Sequence, residues 1–341
     1  MKRTPFVESC LVIGQSAVNW FAKRPLVVSF EVTDSCNCDC RHCDRGGPVH
    51  EPERITPDGI GRWSRILQPA VIQISGGEPL LRRDIAACVR AAQRPGGLPY
   101  TVFVSNWALM DEGKYRALRA AGVDQFSVSL DFPDERHDDF RRHPGLFRRL
   151  DRLVPQLAAL GSDDIVLNTA VTRENYMLLD EICGVADRWG VNASFSAYSP
   201  LRTGDQSLMI TDPAELAVLR AQLDRVLARK ADDPSRRIVN AVSTLDETYD
   251  YFARGSAPNC TAGLRFLVVT ADGFLQPCSM QHYRTHEQRD MIAEFTASNT
   301  CDQCYVAIRS YLDKGFFQLL AENVRDHFSF KPLEKGRPAA A

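Results

Sequence analysis

The sequence predicts an α/β fold built on a parallel sheet, and three observations predict it. Six short β-rich apolar runs fall between residues 26 and 198, stretches with apolar residues at helical spacing separate them, and glycine or proline marks several helix boundaries. Strand–helix–strand repetition of this kind takes right-handed crossovers, which set successive strands parallel.

The elements follow in chain order. Segment 6–21 is apolar but interrupted by Glu8, Gln15 and Asn19, and Pro5 and Glu8 break any signal-peptide core, so it reads as an amphipathic helix packed on its own domain. The strands are 26–32, 70–75, 101–105, 125–130, 165–171 and 193–198, and the helices between them are 57–67, 83–93, 112–121, 146–160 and 178–189. Pro57 suits a first helical position, and Gly122, Gly161 and Gly190 suit helix ends. A further long helix covers 213–230. Six such units fall short of the eight in a closed barrel. From Cys260 the pattern changes: 264–269 and 274–276 flank Ala271-Asp272-Gly273 as a β-hairpin, and a loop around Cys301 leads into a last helix, 306–323. The tail 334–341 is expected to fray.

Composition narrows the function classes. Of 341 residues, 44% are hydrophobic and 25% charged, which supplies a core and excludes a disordered chain. The net charge of −2 argues against a nucleic-acid partner held by phosphate contacts. No apolar run reaches the roughly 18 residues that span a bilayer. The outlier is cysteine, at 11 residues. In a long chain without an export signal, clustered cysteines point to metal in a reduced compartment. Cys10, Cys88 and Cys183 stand apart in predicted helices and read as small buried apolar residues.

Cys36, Cys40 and Cys43 have the spacing Cys-x3-Cys-x2-Cys and follow the first strand directly. Three thiolates are one short of the four that iron–sulfur clusters normally take, and an open metal position can bind substrate. Cys38 adds a fourth thiol, so a closed zinc site is the alternative, although zinc sites usually pair two Cys-x2-Cys knuckles and only Cys40–Cys43 is one. The second strand ends in Ser75-Gly76-Gly77-Glu78-Pro79, where glycines permit close backbone approach and a carboxylate can accept from an ammonium group. The other strands end in Ser105-Asn106, Ser129-Leu130-Asp131, Asn168-Thr169 and Ser196, and in barrels chemistry gathers at the carboxyl ends of strands.

Together these residues resemble the radical S-adenosylmethionine superfamily. The resemblance implies a partial (β/α)6 TIM-type barrel and a 4Fe–4S cluster on Cys36, Cys40 and Cys43. The fourth iron of that cluster would chelate S-adenosylmethionine (SAM), and reductive cleavage would yield a 5′-deoxyadenosyl radical that abstracts hydrogen. Gly76, Gly77, Glu78 and Pro79 match the family's Gly-Gly-Glu-Pro motif, with Glu78 as partner of the methionine amino group. Ser129 and Asp131 with His137, Asp138 and Arg141 resemble the Ser-x-Asp-Gly…His-Asp-x-x-Arg run of members carrying SPASM or Twitch extensions. By that likeness Ser129 and Arg141 hold the methionine carboxylate or ribose, and Ser105, Asn106, Asp131, Asn168 and Ser196 join the SAM site, with Asn175 nearby. A solvated ion pair is the alternative for Arg141. Two positions depart from the family: His42 stands where an aromatic hydrocarbon is usual, and Phe132 where a glycine is usual.

Cys260, Cys278, Cys301 and Cys304 offer four further thiolates. Gly273 to Cys278 resembles the Gly-x4-Cys signature of SPASM and Twitch domains, and no cysteine follows Cys304, which implies the shorter Twitch type with one auxiliary 4Fe–4S cluster. Four protein ligands would suit electron transfer or structural support, and a structural zinc site is the alternative. His282 and His286 read as substrate-pocket or surface residues.

The expected organisation is an N-terminal amphipathic segment (1–25), the partial barrel (26–235), a Twitch-like module (236–330) and a tail (331–341). The resemblance implies an enzyme acting on a small-molecule or lipid-like substrate by hydrogen abstraction or adenosyl transfer, broadly similar to the hopanoid-adenosylating branch. An electron donor such as flavodoxin or ferredoxin is implied, in the cytoplasm or peripherally at the membrane. Peptide maturation is the second reading, although 25 residues before the first strand are too few for an attached winged-helix peptide-binding domain. A non-catalytic iron–sulfur or zinc protein is the third.

Overall fold

The computed structural model describes residues 5–49, 51, 54–232 and 237–328. Helix α1 (Pro5–Phe21) precedes six strand–helix repeats. The strands are β1 (Val27–Glu31), β2 (Val71–Ser75), β3 (Tyr100–Ser105), β4 (Gln125–Ser129), β5 (Ile165–Val171) and β6 (Asn192–Ala197). Between them run α2 (Pro57–Leu67), α3 (Ile85–Ala92), α4 (Glu112–Ala121), α5 (Arg136–Arg141), α6 (Leu146–Ala158) and α7 (Leu179–Trp189). Then come α8 (Pro213–Asp232), α9 (Val242–Arg254), strands β7 (Phe266–Val269) and β8 (Leu275–Gln276), α10 (Gln288–Glu294), α11 (Ala307–Leu312) and α12 (Phe316–Phe328).

The local chemistry explains these boundaries. Thr56 caps α2 by accepting from the Gly59 amide, with Pro57 just inside the first turn. Asp111 caps α4 through the Lys114 amide, and Gly122 closes it at φ 119°, a conformation that favours glycine. On α6, Leu146, Leu150, Val154 and Leu157 fall on one buried face. Each such side chain contributes roughly 1.5–3 kcal/mol when fully buried.

All the strands form one sheet in the order β6-β5-β4-β3-β2-β1-β7-β8, and every pair is parallel except β7–β8. The alternation of each strand divides its residues between two environments. Val28, Phe30, Ile72, Ile74, Phe103 and Phe126 join the apolar core beneath the helices. Ser29, Gln73, Val102, Ser127, Asn168 and Ser194 line the opposite, concave face. Helix α1 is tied to the loops at the start of β1 and β2, where the buried Asn19 amide donates to the carbonyls of Pro25 (2.7 Å) and Gln68 (2.8 Å). Among the described residues, no helix is long and apolar enough to cross a membrane.

Several expectations change, and the short helices α5 and α10 join the elements that the apolar spacing does not predict. The predicted helix 306–323 is broken into α11 and α12 between Leu312 and Phe316. There the Asp313 carboxylate is drawn to Thr261 and Arg309, and Lys314 turns inward to bond Ser243 (2.6 Å) and Glu322 (2.7 Å). Helix α9 was not foreseen, because its polar residues dilute the apolar face formed by Leu245, Tyr251 and Phe252. Cys10 is exposed on α1, whereas Cys88 and Cys183 are buried as expected. The predicted fraying of 334–341 lies outside the described residues.

Candidate active site

The concave face of the sheet encloses a cavity of about 760 Å³, within the range of small-molecule sites. Both cysteine sets reach it: Cys43 from the first, and Cys260, Cys278, Cys301 and Cys304 from the second.

The first set lies on the loop after β1. Backbone bonds from Cys36 to Gly47 (2.9 Å) and from Cys43 to Cys40 (3.1 Å) fold it into a compact arc. Cys38 and Cys40 are buried, and Cys36 and Cys43 are half-buried. The Cys38 backbone amide donates to the Cys36 sulfur at 3.4 Å, and hydrogen bonding between the neighbouring thiols lowers the pKa of Cys36 and raises that of Cys38. Cys40 comes down to about 7, through the Cys38 hydrogen bond and, against burial, the charge of Arg141. Burial pushes Cys43 up. The Asn106 amide also donates to the Cys38 sulfur, at 3.2 Å.

The turn after β2 locks this arc in place. The Gly77 and Glu78 amides donate to the carbonyls of Thr33 (2.7 Å) and Ser35 (2.8 Å). A Cβ on Gly76 would meet the Thr33 oxygen at 2.3 Å, and one on Gly77 the Ser35 oxygen at 2.1 Å. The glycines therefore serve an approach of backbone to backbone, whereas the sequence suggested approach to a ligand. Glu78 is buried, and its carboxylate accepts from the Leu80 amide (3.0 Å), the Ser105 hydroxyl (2.8 Å) and the Asn106 amide (2.8 Å). Burial pushes its pKa up, opposed by those bonds. A carboxylate offers about four acceptor positions, so one remains.

Helix α5 braces the loop from the other side. The Phe140 ring stacks on His42 at 4.9 Å, and the Arg41 amide donates to the Phe140 carbonyl. His42 thus puts its aromatic ring into protein packing. Arg141 is buried, donating from Nε to Asp131 (2.6 Å) and from Nη1 toward the Cys40 sulfur (3.7 Å). The solvated ion pair is thereby set aside. Burial alone would raise the Asp131 pKa, and the Arg141 charge outweighs it, leaving the carboxyl below its ordinary value. Asn175 holds the same turn together by donating to the carbonyls of Asp131 and Ala170, each at 2.9 Å.

The remaining predicted residues fall in two places. Asn168 lines the cavity, with Ser129 opposite it in register on β4. Ser196 also lines the cavity, and its hydroxyl accepts from the Ala307 amide at 3.0 Å, joining β6 to α11. His282 and His286 are exposed, and His286 packs on Phe274.

Sequence reasoning missed a charged group in the cavity wall. Glu31, buried at the end of β1, accepts from Arg45 (2.8 Å) and Arg202 (3.4 Å), and Arg202 also donates to Asp44 (2.8 Å). Glu31 was visible as the inward partner of Ser29 at period two; Arg202 follows β6 in a loop with no sequence signal.

The second set gathers where the hairpin meets the sheet. Its cysteines are free thiols, and Arg309 donates toward the Cys304 sulfur at 3.8 Å. Burial raises the pKa of Cys278 to about 12 and of Cys304 to about 11. Among the described residues, no three or more His, Cys, Asp or Glu side chains converge on a single ion. Thiolate donors suit iron–sulfur clusters or zinc. Cys36, Cys40 and Cys43 share one short loop with Cys38, and their thiol chemistry, rather than a converged geometry, is what fits an iron–sulfur cluster.

Comparison with known proteins bears on this arrangement. Residues 30–183 match the model of the Radical SAM superfamily. The AdoMet-dependent heme synthase of Oleidesulfovibrio alaskensis is 33% identical over 49% of this chain but only 44% of its own length. That of Nitratidesulfovibrio vulgaris is 32% identical over 74% of this chain and 73% of its own. Among solved structures, Streptococcus suis SuiB bound to its precursor peptide SuiA has the same fold, with a TM-score of 0.56 and 16% identity over 85% of this chain and 65% of that one. The chain belongs to the radical SAM superfamily, whose members work with a 4Fe–4S cluster and S-adenosylmethionine.

Proposed function

We propose that Cys36, Cys40 and Cys43 hold the SAM-binding 4Fe–4S cluster, and that the chain directs a 5′-deoxyadenosyl radical at an uncharged small molecule in the barrel cavity. The observation that carries this reading is convergence: Cys43 of the cysteine arc, Gly76 of the turn bonded to that arc and the inward faces of the strands meet around one chamber. When bound, the cluster supplies the single electron that cleaves the SAM sulfonium, drawn from a flavodoxin or ferredoxin. The chain's own residues position and enclose. Glu78 keeps one acceptor position for the methionine ammonium, Asn168 and Ser129 offer neutral hydrogen bonds, and the Glu31–Arg202 pair lines the same cavity as Cys43. Cys260, Cys278, Cys301 and Cys304 hold a Twitch-like auxiliary 4Fe–4S cluster in the cavity wall.

The substrate class rests on charge. Among the described residues, the wall carries two arginines and two carboxylates, and each arginine is already paired: Arg202 with Glu31, and Arg309 with Asp313. A polyanion would find no spare cation there, and burying unpaired charge is costly. Gln73, Ser127 and Ser194 supply neutral hydrogen-bonding groups among many apolar ones, Val27, Val71, Val102, Val104 and Val166 with them, which suits an uncharged occupant with apolar surface. The same wall suits the amides of a peptide, the second reading.

Anaerobically reconstituted protein, given SAM and dithionite, should release 5′-deoxyadenosine, and variants lacking Cys36, Cys40 or Cys43 should not. An iron-loaded protein that releases none overturns the proposal.

A further inference from the structure

The guanidinium of Arg309 has all five of its N–H donors engaged, and every acceptor belongs to the frame of the second cysteine set. Nε donates to Asp313 (2.6 Å). Nη1 donates to the Cys304 carbonyl and toward the Cys304 sulfur at 3.8 Å. Nη2 donates to the carbonyls of Ala257 (3.0 Å) and Pro258 (3.1 Å). The other oxygen of Asp313 takes the backbone amide (3.0 Å) and hydroxyl (2.7 Å) of Thr261, the neighbour of Cys260. One buried arginine, 6% exposed, thus ties the segment that carries Cys260 to the one that carries Cys304. The arrangement repeats the first site, where buried Arg141 joins Asp131 and points at the Cys40 sulfur.

We infer that Arg309 is the positioning residue of the auxiliary cluster, fixing the spacing of Cys260 and Cys304 and raising the cluster's reduction potential through the Cys304 sulfur. This rests on the proposed cluster at that set. The physical reason is direct. Reduction adds negative charge to the cluster and its sulfurs, and a fixed buried cation that hydrogen-bonds one of those sulfurs favours the reduced form. Lysine cannot replace it fully, because an ammonium has three donors where this frame uses five, and it cannot span the planar fork.

The test uses the full chain carrying Cys36→Ala, Cys40→Ala and Cys43→Ala, so that only the second cluster reports. Arg309→Met and Arg309→Lys are added separately, and the midpoint is read by EPR-monitored redox titration with iron content measured in parallel. Arg309→Met should lower the reduced-to-oxidised ratio at fixed potential about tenfold, equal to about 59 mV for one electron. Arg309→Lys should recover part of that shift. Iron retained with an unmoved midpoint in both variants overturns the inference alone. Absence of iron from the triple variant itself overturns the cluster reading and this inference with it. Where a variant folds but loses its iron, Co(II) titration of the iron-free protein reads the thiol set directly. Affinity at least tenfold below the parent supports the positioning role, and equal affinity overturns it.

Discussion

Asp131 and Arg141 are buried together, and each is tolerable only because of the other. Asp131 also accepts from the Ala170 amide at 3.0 Å, so the pair anchors α5 to β5 and, through Arg141, to Cys40. Removing one member of a buried pair costs about 3–5 kcal/mol, because the remaining charge is left uncompensated. Asp131→Asn should therefore lower the unfolding free energy by that order, read from urea titrations of iron-free protein so that cluster loss does not intrude. The pH dependence follows from the direction of the shift. Asp131 has a lower pKa folded than unfolded, so its stabilisation is complete above the ordinary carboxylate range near about 4 and is lost as pH falls through the folded value. The Asn variant should lack that acid limb; an unchanged stability–pH profile would count against the pairing. Cys38 supports a contrasting prediction. Its sulfur lies outside the Cys-x3-Cys-x2-Cys spacing and accepts from the Asn106 side-chain amide at 3.2 Å, so Cys38→Ala should keep its iron and still release 5′-deoxyadenosine. Loss of the cluster from absorption spectra would make Cys38 a ligand.

Between elements, the β2 turn and the cysteine arc are joined so closely that side chains are excluded. Gly77→Ala would place a Cβ 2.1 Å from the Ser35 carbonyl oxygen, far inside contact distance, and that neighbour is backbone. The arc must then shift, breaking the bonds from the Gly77 and Glu78 amides, and the variant should hold well under half the parent's iron. Full iron occupancy would show that the junction is not needed. At this scale, legibility divided along physical lines. Strands and their crossover helices were readable because period-2 and period-3.6 apolar spacing is local. The first cysteine set is readable because Cys36, Cys40 and Cys43 recur at short spacing, and the second because Cys301 and Cys304 do, with Cys260 and Cys278 farther off in sequence. The break at Asp313 was hidden, because the apolar period continues on both sides and the cause lies at Thr261 and Arg309, which local spacing does not reveal. Glu31, Arg202 and Arg309 take their meaning from neighbours remote in sequence, and so escaped notice for the same reason.

Across the whole molecule, one pairing unites the two cysteine sets: β7 adds to β1 in parallel, Val27 opposite Phe266 and Phe30 opposite Val269. That register carries the hairpin onto the barrel edge, so Cys260 before it and Cys278 after it open into the cavity that Cys43 reaches from β1. Two sets of thiols on one chamber should bind iron independently, since they share no residue. Reconstituted protein should hold about eight irons, four per cluster, and the Cys36, Cys40 and Cys43 triple alanine variant about four. With four thiolates on the remaining cluster, adding SAM should leave its EPR signal unchanged, while in the parent the signal of the three-cysteine site should shift. A triple variant that holds one zinc and no iron would make the C-terminal set structural. If its signal instead responds to SAM, one of the four thiols is not a ligand. Cys260 is then the residue to substitute first, because it stands farthest in sequence from the Cys301–Cys304 pair and relies on the Arg309–Asp313 tie for its place.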